Sequence, residues 1–169
     1  MKKTLSKIIL NTVFILTTAA ILAADQLTKY WVNSLSGDSL PITIIPGFIS
    51  IIRITNTGAA FGMLQGWTKV FIIISVIATI LIVILKIKLD LKTLIYNISL
   101  GFVLGGALGN LVDRIIMGEV TDFISVNYFA VFNVADSFIV IGFFIIIIIL
   151  IRSFIRKDLE KIITNADRK

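Results

Sequence analysis

Four long runs of apolar residues alternate with short polar islands along the chain. The runs cover residues 8–24, 67–85, 93–112 and 134–151. Each is close to the length of about 17 to 25 residues that a helix needs to cross the hydrocarbon core of a bilayer. The last run contains the unbroken stretch IVIGFFIIIIILI. The pattern predicts an all-α membrane protein with four transmembrane helices, organised as a single integral membrane domain over residues 1–169.

The polar islands after the first and third runs predict a small β structure outside the membrane. In the first island, Pro46-Gly47 separates two stretches rich in β-branched residues. This arrangement predicts a hairpin of residues 42–45 with 48–55 around a type II turn. Apolar side chains on both faces suit a sheet that touches lipid or substrate, and a short packed lid would give the same pattern. The second island predicts an extended piece at residues 120–126.

Composition supports the membrane assignment. The chain is 57% hydrophobic and 15% charged, with a mean hydropathy of +1.03, whereas soluble domains carry about 25% charged residues. If the four helices alternate in direction, one side of the membrane receives most of the basic residues: Lys2, Lys3, Lys7, Lys86, Lys88, Lys92, Arg152, Arg156, Lys157, Lys161, Arg168 and Lys169.

The distribution of these basic residues predicts the orientation of the chain. The opposite side keeps only Lys29, Arg53, Lys69 and Arg114. Because cytoplasmic loops carry the excess of lysine and arginine, both termini are expected in the cytoplasm and the first and third connections outside. This bias and the attraction of anionic lipid headgroups account for the net charge of +6. No nucleic-acid partner is expected.

Two features of the sequence limit the alternatives. The first run could be a cleaved signal peptide, since MKK precedes it, but Ala23-Ala24 makes a poor cleavage site and removal would leave an odd number of spans. The chain contains no cysteine and no histidine. A thiolate nucleophile, a disulfide, a Ser-His triad and most zinc sites are thereby excluded. We expect neither a metal nor another cofactor.

Small residues in the third run predict close helix packing. Gly101, Gly105 and Gly109 recur every four residues, which lets a neighbouring helix approach the backbone. Asn110 and then Asp113-Arg114 follow at the end of the same predicted helix. At this spacing their side chains share one face near the outer interface.

Four aspartates lie at or beside predicted helix ends on the outer side: Asp25, Asp113, Asp122 and Asp136. Ionised carboxylates are costly to place among apolar residues, so chains seldom do so without a use for them. Two carboxylates that share one proton can activate water, because the ionised one takes its proton while the protonated one polarises a carbonyl. A lone aspartate can instead cap a helix, and Asp136 is well placed for that. Capping does not explain Asp122, which precedes no evident helix.

Five short motifs resemble, in order and spacing, those of the lipoprotein signal peptidase (signal peptidase II) family of bacterial membrane aspartic proteases. They are DQLTK (25–29), NTGAAFG (56–62), GGALGNLVDR (105–114), VTDFI (120–124) and FNVADS (132–137). By position, the resemblance implies that Asp122 and Asp136 are the catalytic aspartates. It gives substrate-binding or supporting functions to Asn56, Asn110, Arg114, Asn133, Asp25 and Lys29.

The resemblance also implies what the protein acts on and where. It implies cleavage of prolipoproteins just before a lipid-modified cysteine, a small extracytoplasmic β-cradle over the site, no cofactor, and inhibition by the peptide-like antibiotic globomycin. We expect a monomer surrounded by lipid in the bacterial cytoplasmic membrane, with the active site at the extracytoplasmic face. Asp113, which adjoins Arg114, is expected to orient its neighbours without exchanging protons.

Two other classes of function fit parts of the pattern. A small proton-coupled transporter would also place carboxylates near a membrane, but these polar residues cluster at one interface and do not line a path across it. A non-catalytic assembly subunit would use the glycine ridge and leave the aspartates unexplained. Aspartate-to-asparagine variants separate the three, because a protease loses cleavage, a transporter loses flux and a scaffold loses neither.

Overall fold

The computed structural model describes residues 2–35, 39–58, 63–88 and 93–166, so residues 59–62 of the NTGAAFG motif lie outside the described residues. All four described helices are long and apolar enough to cross a membrane. The predicted membrane architecture of four helices and a small sheet is confirmed. The elements are α1 (Lys2–Ser34), β1 (Ile42–Ile45), β2 (Ile49–Asn56), α2 (Thr68–Lys88), α3 (Leu94–Ile116), β3 (Val120–Val126) and α4 (Val134–Ala166).

Helix α3 occupies the centre of the bundle, and glycines let α1 and α4 approach it closely. A Cβ atom added to Gly101 would lie 2.8 Å from the Thr17 Cβ of α1, and one added to Gly105 would lie 2.7 Å from the backbone oxygen of Thr18. On the other side, Gly142 of α4 faces α3. Since no side chain fits at these positions, the packing function predicted for the glycines of α3 is confirmed.

Helix α1 extends beyond its predicted span. It continues past Ala24 to Ser34, so Asp25, which was expected at a helix end, lies inside the helix, on one face with Lys29. The charges interrupt the apolar run in the sequence, but the helix does not end there because the Lys29 Nζ and Asp25 Oδ2 atoms pair at 2.7 Å. Helix α4 likewise continues past Ile151 into the charged C-terminal segment.

The three strands form one antiparallel sheet in the order β1-β2-β3. The β1–β2 hairpin is confirmed: the Phe48 N–H donates to the Ile45 oxygen at 3.0 Å, and Gly47 has a φ of +70°, as the third residue of a type II turn requires. The extended piece predicted at residues 120–126 is β3. Its pairing with β2, which the sequence did not predict, turns the hairpin into a three-stranded sheet.

A left-handed glycine directs the chain from α3 into the sheet. Gly118 has a φ of +79°, and its N–H donates to the Arg114 oxygen at 3.2 Å, which ends the helix in an αL cap. Strand β3 begins two residues later. Because the turn is so short, Asp113 at the end of α3 and Asp122 in β3 are held on the same side of the molecule.

Candidate active site

Asp122 and Asp136 come from different elements and meet at one asparagine. Asp122 lies in β3 and Asp136 in the first turn of α4. The side-chain Nδ2 of Asn133 donates to Asp122 Oδ1 at 2.7 Å, and the backbone N–H of the same residue donates to Asp136 Oδ2 at 3.3 Å. Asn133 is fully buried. Both carboxylates therefore accept a hydrogen bond from the same residue.

The local fold brings Asn133 to this place. After β3 the chain reverses, and Phe132 pairs with Ile124, with hydrogen bonds of 2.8 and 3.1 Å between their backbones. The next residue, Asn133, precedes α4, and its Oδ1 accepts the Asp136 N–H at 2.9 Å. Together with the return bond to Asp136 Oδ2, this is a capping box. Asp136 thus stabilises the helix start through the return bond, but the capping residue is Asn133, whereas the capping interpretation had assigned that function to Asp136.

Two further asparagines each donate to one carboxylate. Asn56 pairs with Val120 in the sheet, diagonal to Asp122 and on the same face, and its Nδ2 donates to Asp122 Oδ2 at 2.9 Å. Asn110 of α3 donates from Nδ2 to Asp136 Oδ1 at 2.7 Å. Each aspartate therefore has both oxygens hydrogen-bonded to an asparagine.

A buried group of charges lies behind the asparagines. Lys29 Nζ donates to Asp25 Oδ2 at 2.7 Å, to Asn110 Oδ1 at 2.9 Å and to Asp113 Oδ2 at 2.9 Å. The structure thus pairs Asp113 with Lys29, whereas the sequence had suggested Arg114 as its partner. Gly109 allows this arrangement, since a Cβ there would collide with the Asp25 carboxylate.

Gln26 belongs to the same network and was not predicted. Its Nε2 donates to Asp113 Oδ1 at 2.8 Å, to the Gly109 oxygen at 3.2 Å and to Asp25 Oδ2 at 3.3 Å. The signal for it was present in the sequence, because Gln26 follows Asp25 in the DQLTK motif. With α1 expected to end at Ala24, that residue had no helical face to share with Asp25.

Arg114, Asp122 and Asp136 line one cleft of about 280 Å³. The guanidinium of Arg114 lies 5.4 Å from the centre of the Phe71 ring, and its Nη2 donates to the Gly58 oxygen at 3.3 Å. Among the described residues, its buried Nε has no hydrogen-bond partner. The other wall of the cleft is mostly apolar: Val120, Phe129, Ala130, Val131, Phe132, Ile139 and Val140.

The surroundings of Asp122 favour its protonated form. Burial raises the pKa of the Asp122 carboxyl to about 6, and the negative charge of Asp136 acts in the same direction. Hydrogen bonds from Asn56 and Asn133 and the charge of Lys29 offset part of this shift. A carboxyl with a pKa in this range exchanges its proton near neutral pH, which a general acid or base needs.

All eight site residues named from the sequence belong to one hydrogen-bond network, in which each residue is bonded to at least one of the others. Its members are Asp25, Lys29, Asn56, Asn110, Arg114, Asp122, Asn133 and Asp136. Within the described parts of the chain, no group of three or more carboxylates could hold a metal ion. The arrangement offers two facing carboxylates, several amide donors and one guanidinium beside an apolar wall.

Comparison with known proteins gives concordant results. A model of the family described as signal peptidase (SPase) II matches residues 17–152. A lipoprotein signal peptidase of Staphylococcus aureus strain JH9 is 38% identical over 144 residues, covering 82% of this chain and 87% of that protein. Two solved structures of bacterial membrane enzymes are also similar. The first has a TM-score of 0.78 at 36% identity and covers 83% of this chain and 88% of its own. The second has a TM-score of 0.73 at 38% identity and covers 81% and 91%.

Proposed function

The chain belongs to the signal peptidase II family, and we propose that Asp122 and Asp136 are the aspartic pair with which this bacterial membrane protease removes signal peptides from prolipoproteins. The observation that carries the proposal is the bridge through Asn133, which donates to both carboxylates. The negative charge of Asp136 also raises the pKa of Asp122, and two carboxyl groups that interact in this way can share one proton, which lets one act as an acid and the other as a base.

The two aspartates have different surroundings, and these support different roles. Asp136 lies in the first turn of α4, where the helix dipole stabilises negative charge, and it accepts hydrogen bonds from Asn110 and the Asn133 backbone. Asp122 lies in strand β3, where no helix dipole stabilises its negative charge, and burial raises its pKa. Asp136 is therefore the base that enters the reaction ionised, and Asp122 is the acid that enters it protonated.

Hydrolysis follows from these roles. Asp136 takes a proton from a water molecule, the water oxygen attacks the carbonyl carbon of the scissile bond, and Asp122 gives its proton to the carbonyl oxygen. The tetrahedral intermediate then collapses. Asp136 protonates the leaving nitrogen, the carbon–nitrogen bond breaks, and Asp122 recovers a proton from one hydroxyl. The products are a carboxylic acid and an amine, and both aspartates return to their starting states.

The cleft suits an extended peptide whose neighbouring group stays in lipid. The unpaired Nε of Arg114 can donate to a substrate carbonyl, and this would satisfy a buried donor that otherwise has no partner among the described residues. The apolar wall with Phe129 and Ile139 suits small apolar side chains next to the cleaved bond. A diacylglyceryl-modified cysteine can keep its acyl chains in the bilayer if the cleft lies at the membrane interface.

We place the cleft at the extracytoplasmic face, with both termini in the cytoplasm. The proposal rests on the excess of basic residues at the opposite ends of the helices. We further propose that the enzyme works as a monomer in contact with membrane lipids and needs no cofactor. Peptide-like inhibitors of the globomycin type are proposed to occupy the same cleft.

The test is cleavage of one lipidated prolipoprotein by purified variants, compared at equal amounts of folded protein. Asp122→Asn and Asp136→Asn should each lower kcat by about 10⁴-fold or more, because each removes one member of a unit that works only as a pair. Asp113→Asn should retain measurable cleavage, since an asparagine oxygen can still accept the Thr121 N–H. Glu119→Gln serves as a matched control, because Glu119 does not line the cleft.

The outcome also separates the dyad from its nearest rival. If Asp113→Asn is inactive while Asp122→Asn still cleaves, Asp113 takes the place assigned to Asp122 and the proposed pair is wrong. Equal loss in Glu119→Gln would instead point to a general effect of removing acidic groups from this side of the molecule.

A further inference from the structure

Lys29 is bonded to three parts of the site at once. Its ammonium donates to Asp25 on its own helix and to Asn110 and Asp113 on α3, at 2.7, 2.9 and 2.9 Å. The Lys29 side chain is only 3% exposed. An ammonium group has three N–H donors, so these three acceptors use its full capacity. Lys29 therefore does not reach into the cleft, and it does not line it.

The two carboxylates on Lys29 each hold the backbone just before one member of the aspartic pair. Asp25 Oδ1 accepts the N–H of Ala135 at 2.9 Å, and Asp136 is the next residue. Asp113 Oδ2 accepts the N–H of Thr121 at 3.4 Å, and Asp122 is the next residue. The start of α4 and the start of β3 are thus both tied to a single cation on α1.

The third bond of Lys29 contributes to the orientation of the Asn110 amide, together with a second bond to the same oxygen from Asn133 Nδ2 at 3.1 Å. Because Asn110 Oδ1 accepts from Lys29 Nζ, the Nδ2 group must face the other way, and there it donates to Asp136 Oδ1 at 2.7 Å. Without the cation, only the Asn133 donor would oppose a turn of the amide that presents its oxygen to the carboxylate. An oxygen in that position would repel the negative charge on Asp136.

We propose that Lys29 is a positioning residue that sets the spacing of Asp122 and Asp136 and the orientation of the Asn110 amide, an inference that rests on the proposed aspartic pair. Lys29 links Asp25 and Asp113, which hold the backbone N–H groups of Ala135 and Thr121. A shift of Lys29 therefore changes the distance between Asp122 and Asp136. Neutralising the buried carboxylates is a separate effect, and the test must distinguish it from positioning.

Two variants separate these effects. Lys29→Met removes the cation and leaves Asp25 and Asp113 without their partner, so loss of folded protein is expected along with loss of activity. The triple variant Lys29→Met/Asp25→Asn/Asp113→Asn removes the uncompensated charges as well. Its asparagine oxygens can still accept the N–H groups of Ala135 and Thr121. It should fold, but the link between the two anchors and the bond to Asn110 would be missing.

The measurement is steady-state cleavage of one lipidated substrate, with folded protein determined by thermal unfolding. We expect kcat to fall about 100-fold in the triple variant, the size of effect caused by a misplacement of about 1 Å, with KM changed by less than about threefold. Lys69→Met, which removes an exposed lysine at the start of α2, should keep the kcat of the parent. A folded triple variant with the parent's kcat would overturn the proposal, because Lys29 would then only neutralise charge.

The pH profile gives a second readout that packing alone would not change. The charge of Lys29 lowers the pKa of Asp122, so in Lys29→Met the alkaline limb of kcat/KM should move to higher pH. A moved limb together with the parent's kcat in folded Lys29→Met would contradict the proposal, because Lys29 would then act on Asp122 through its charge alone. If the proposed aspartic pair is wrong, the result is different: Asp122→Asn or Asp136→Asn would still cleave the substrate, whatever the activity of the Lys29 variants.

Discussion

Asn133 combines two jobs that a substitution can separate. Its Oδ1 caps α4 by accepting the Asp136 N–H, and its Nδ2 donates to Asp122. In Asn133→Ser, a hydroxyl can still cap the helix but cannot reach Asp122, so we expect a free energy of unfolding within about 1 kcal/mol of the parent and a clear loss of kcat. Asn133→Ala should lose kcat as well, and it should be about 1 kcal/mol less stable than Asn133→Ser, because alanine cannot cap the helix.

Thermal unfolding and cleavage measured on the same samples check this prediction. A Ser variant that cleaves like the parent would mean that the donor to Asp122 has no effect on the reaction. A Ser variant as unstable as the Ala variant would mean that the hydroxyl does not replace the cap.

The protonation state of Asp122 predicts a pH dependence. Burial raises the pKa of Asp122 to about 6, and the proposed mechanism needs this carboxyl protonated. As pH rises through that value the acid loses its proton, so kcat/KM should decline on the alkaline side of about pH 6 in the free enzyme, with the apparent value belonging to the pair. A profile flat from pH 5 to 8 would contradict the role of Asp122 as the acid.

The sequence predicts which residues belong to the site better than it predicts which of them bond to each other. Asp122 stood out because apolar residues flank it and no helix follows it, and the structure places it among donors. Lys29 was named, but its pairing with Asp113 across two helices could not be predicted, because it depends on how closely α1 and α3 pack. Gln26 was missed because α1 was expected to end at Ala24, before this residue.

At the scale of elements, helix type and order were predictable and helix ends were not. Hydropathy detects a helix where apolar residues are continuous, so it ended α1 at Ala24 and α4 at Ile151. Both helices continue into charged residues. In α1 the charges are compensated by pairing inside the bundle, as for Lys29 and Asp25. The pairing of β3 with β2 was also missed, since strand neighbours that are distant in sequence leave no local pattern.

The glycines of α3 give a prediction about spacing between helices. In Gly109→Ala, the new Cβ would collide with the Asp25 carboxylate, whereas in Gly101→Ala it would meet Thr17 at 2.8 Å, far along the helix from the site. Both changes should destabilise the protein by about 1 to 3 kcal/mol through overpacking. Only Gly109→Ala should also lower kcat per folded molecule, because it displaces Asp25.

The comparison of these two variants contains its own control. They alter the same helix–helix contact by the same methyl group, at opposite ends. If kcat falls equally in both, the effect arises from general loosening of the bundle, and the close approach at Gly109 has no special importance for the site.

At the scale of the whole molecule, the distribution of side chains matches a protein embedded with its sheet at a membrane surface. Among the described residues, exposed tryptophan and tyrosine side chains gather at the end of the bundle that carries the sheet, with Tyr30 and Trp31 near the end of α1 and Trp67 just before α2. Tryptophan and tyrosine favour this depth, because their rings are apolar and their N–H and O–H groups remain hydrated. Exposed apolar residues on the hairpin, such as Ile44 and Phe48, suit the same position.

The orientation across the membrane can be tested directly, because the native chain contains no cysteine and a single introduced thiol is the only one present. Tyr128 follows β3 and is 97% exposed, and Lys88 ends α2 at the opposite end of the bundle and is also exposed. A membrane-impermeant thiol reagent added to intact cells should label Tyr128→Cys. It should label Lys88→Cys only after the cells are opened, because the proposed orientation, based on the positive-inside bias, puts that end in the cytoplasm. Both variants should keep cleavage activity, which confirms that the labelled protein is correctly inserted.

Labelling of Lys88→Cys in intact cells, with Tyr128→Cys protected, would reverse the proposed orientation and put the aspartic pair on the cytoplasmic side.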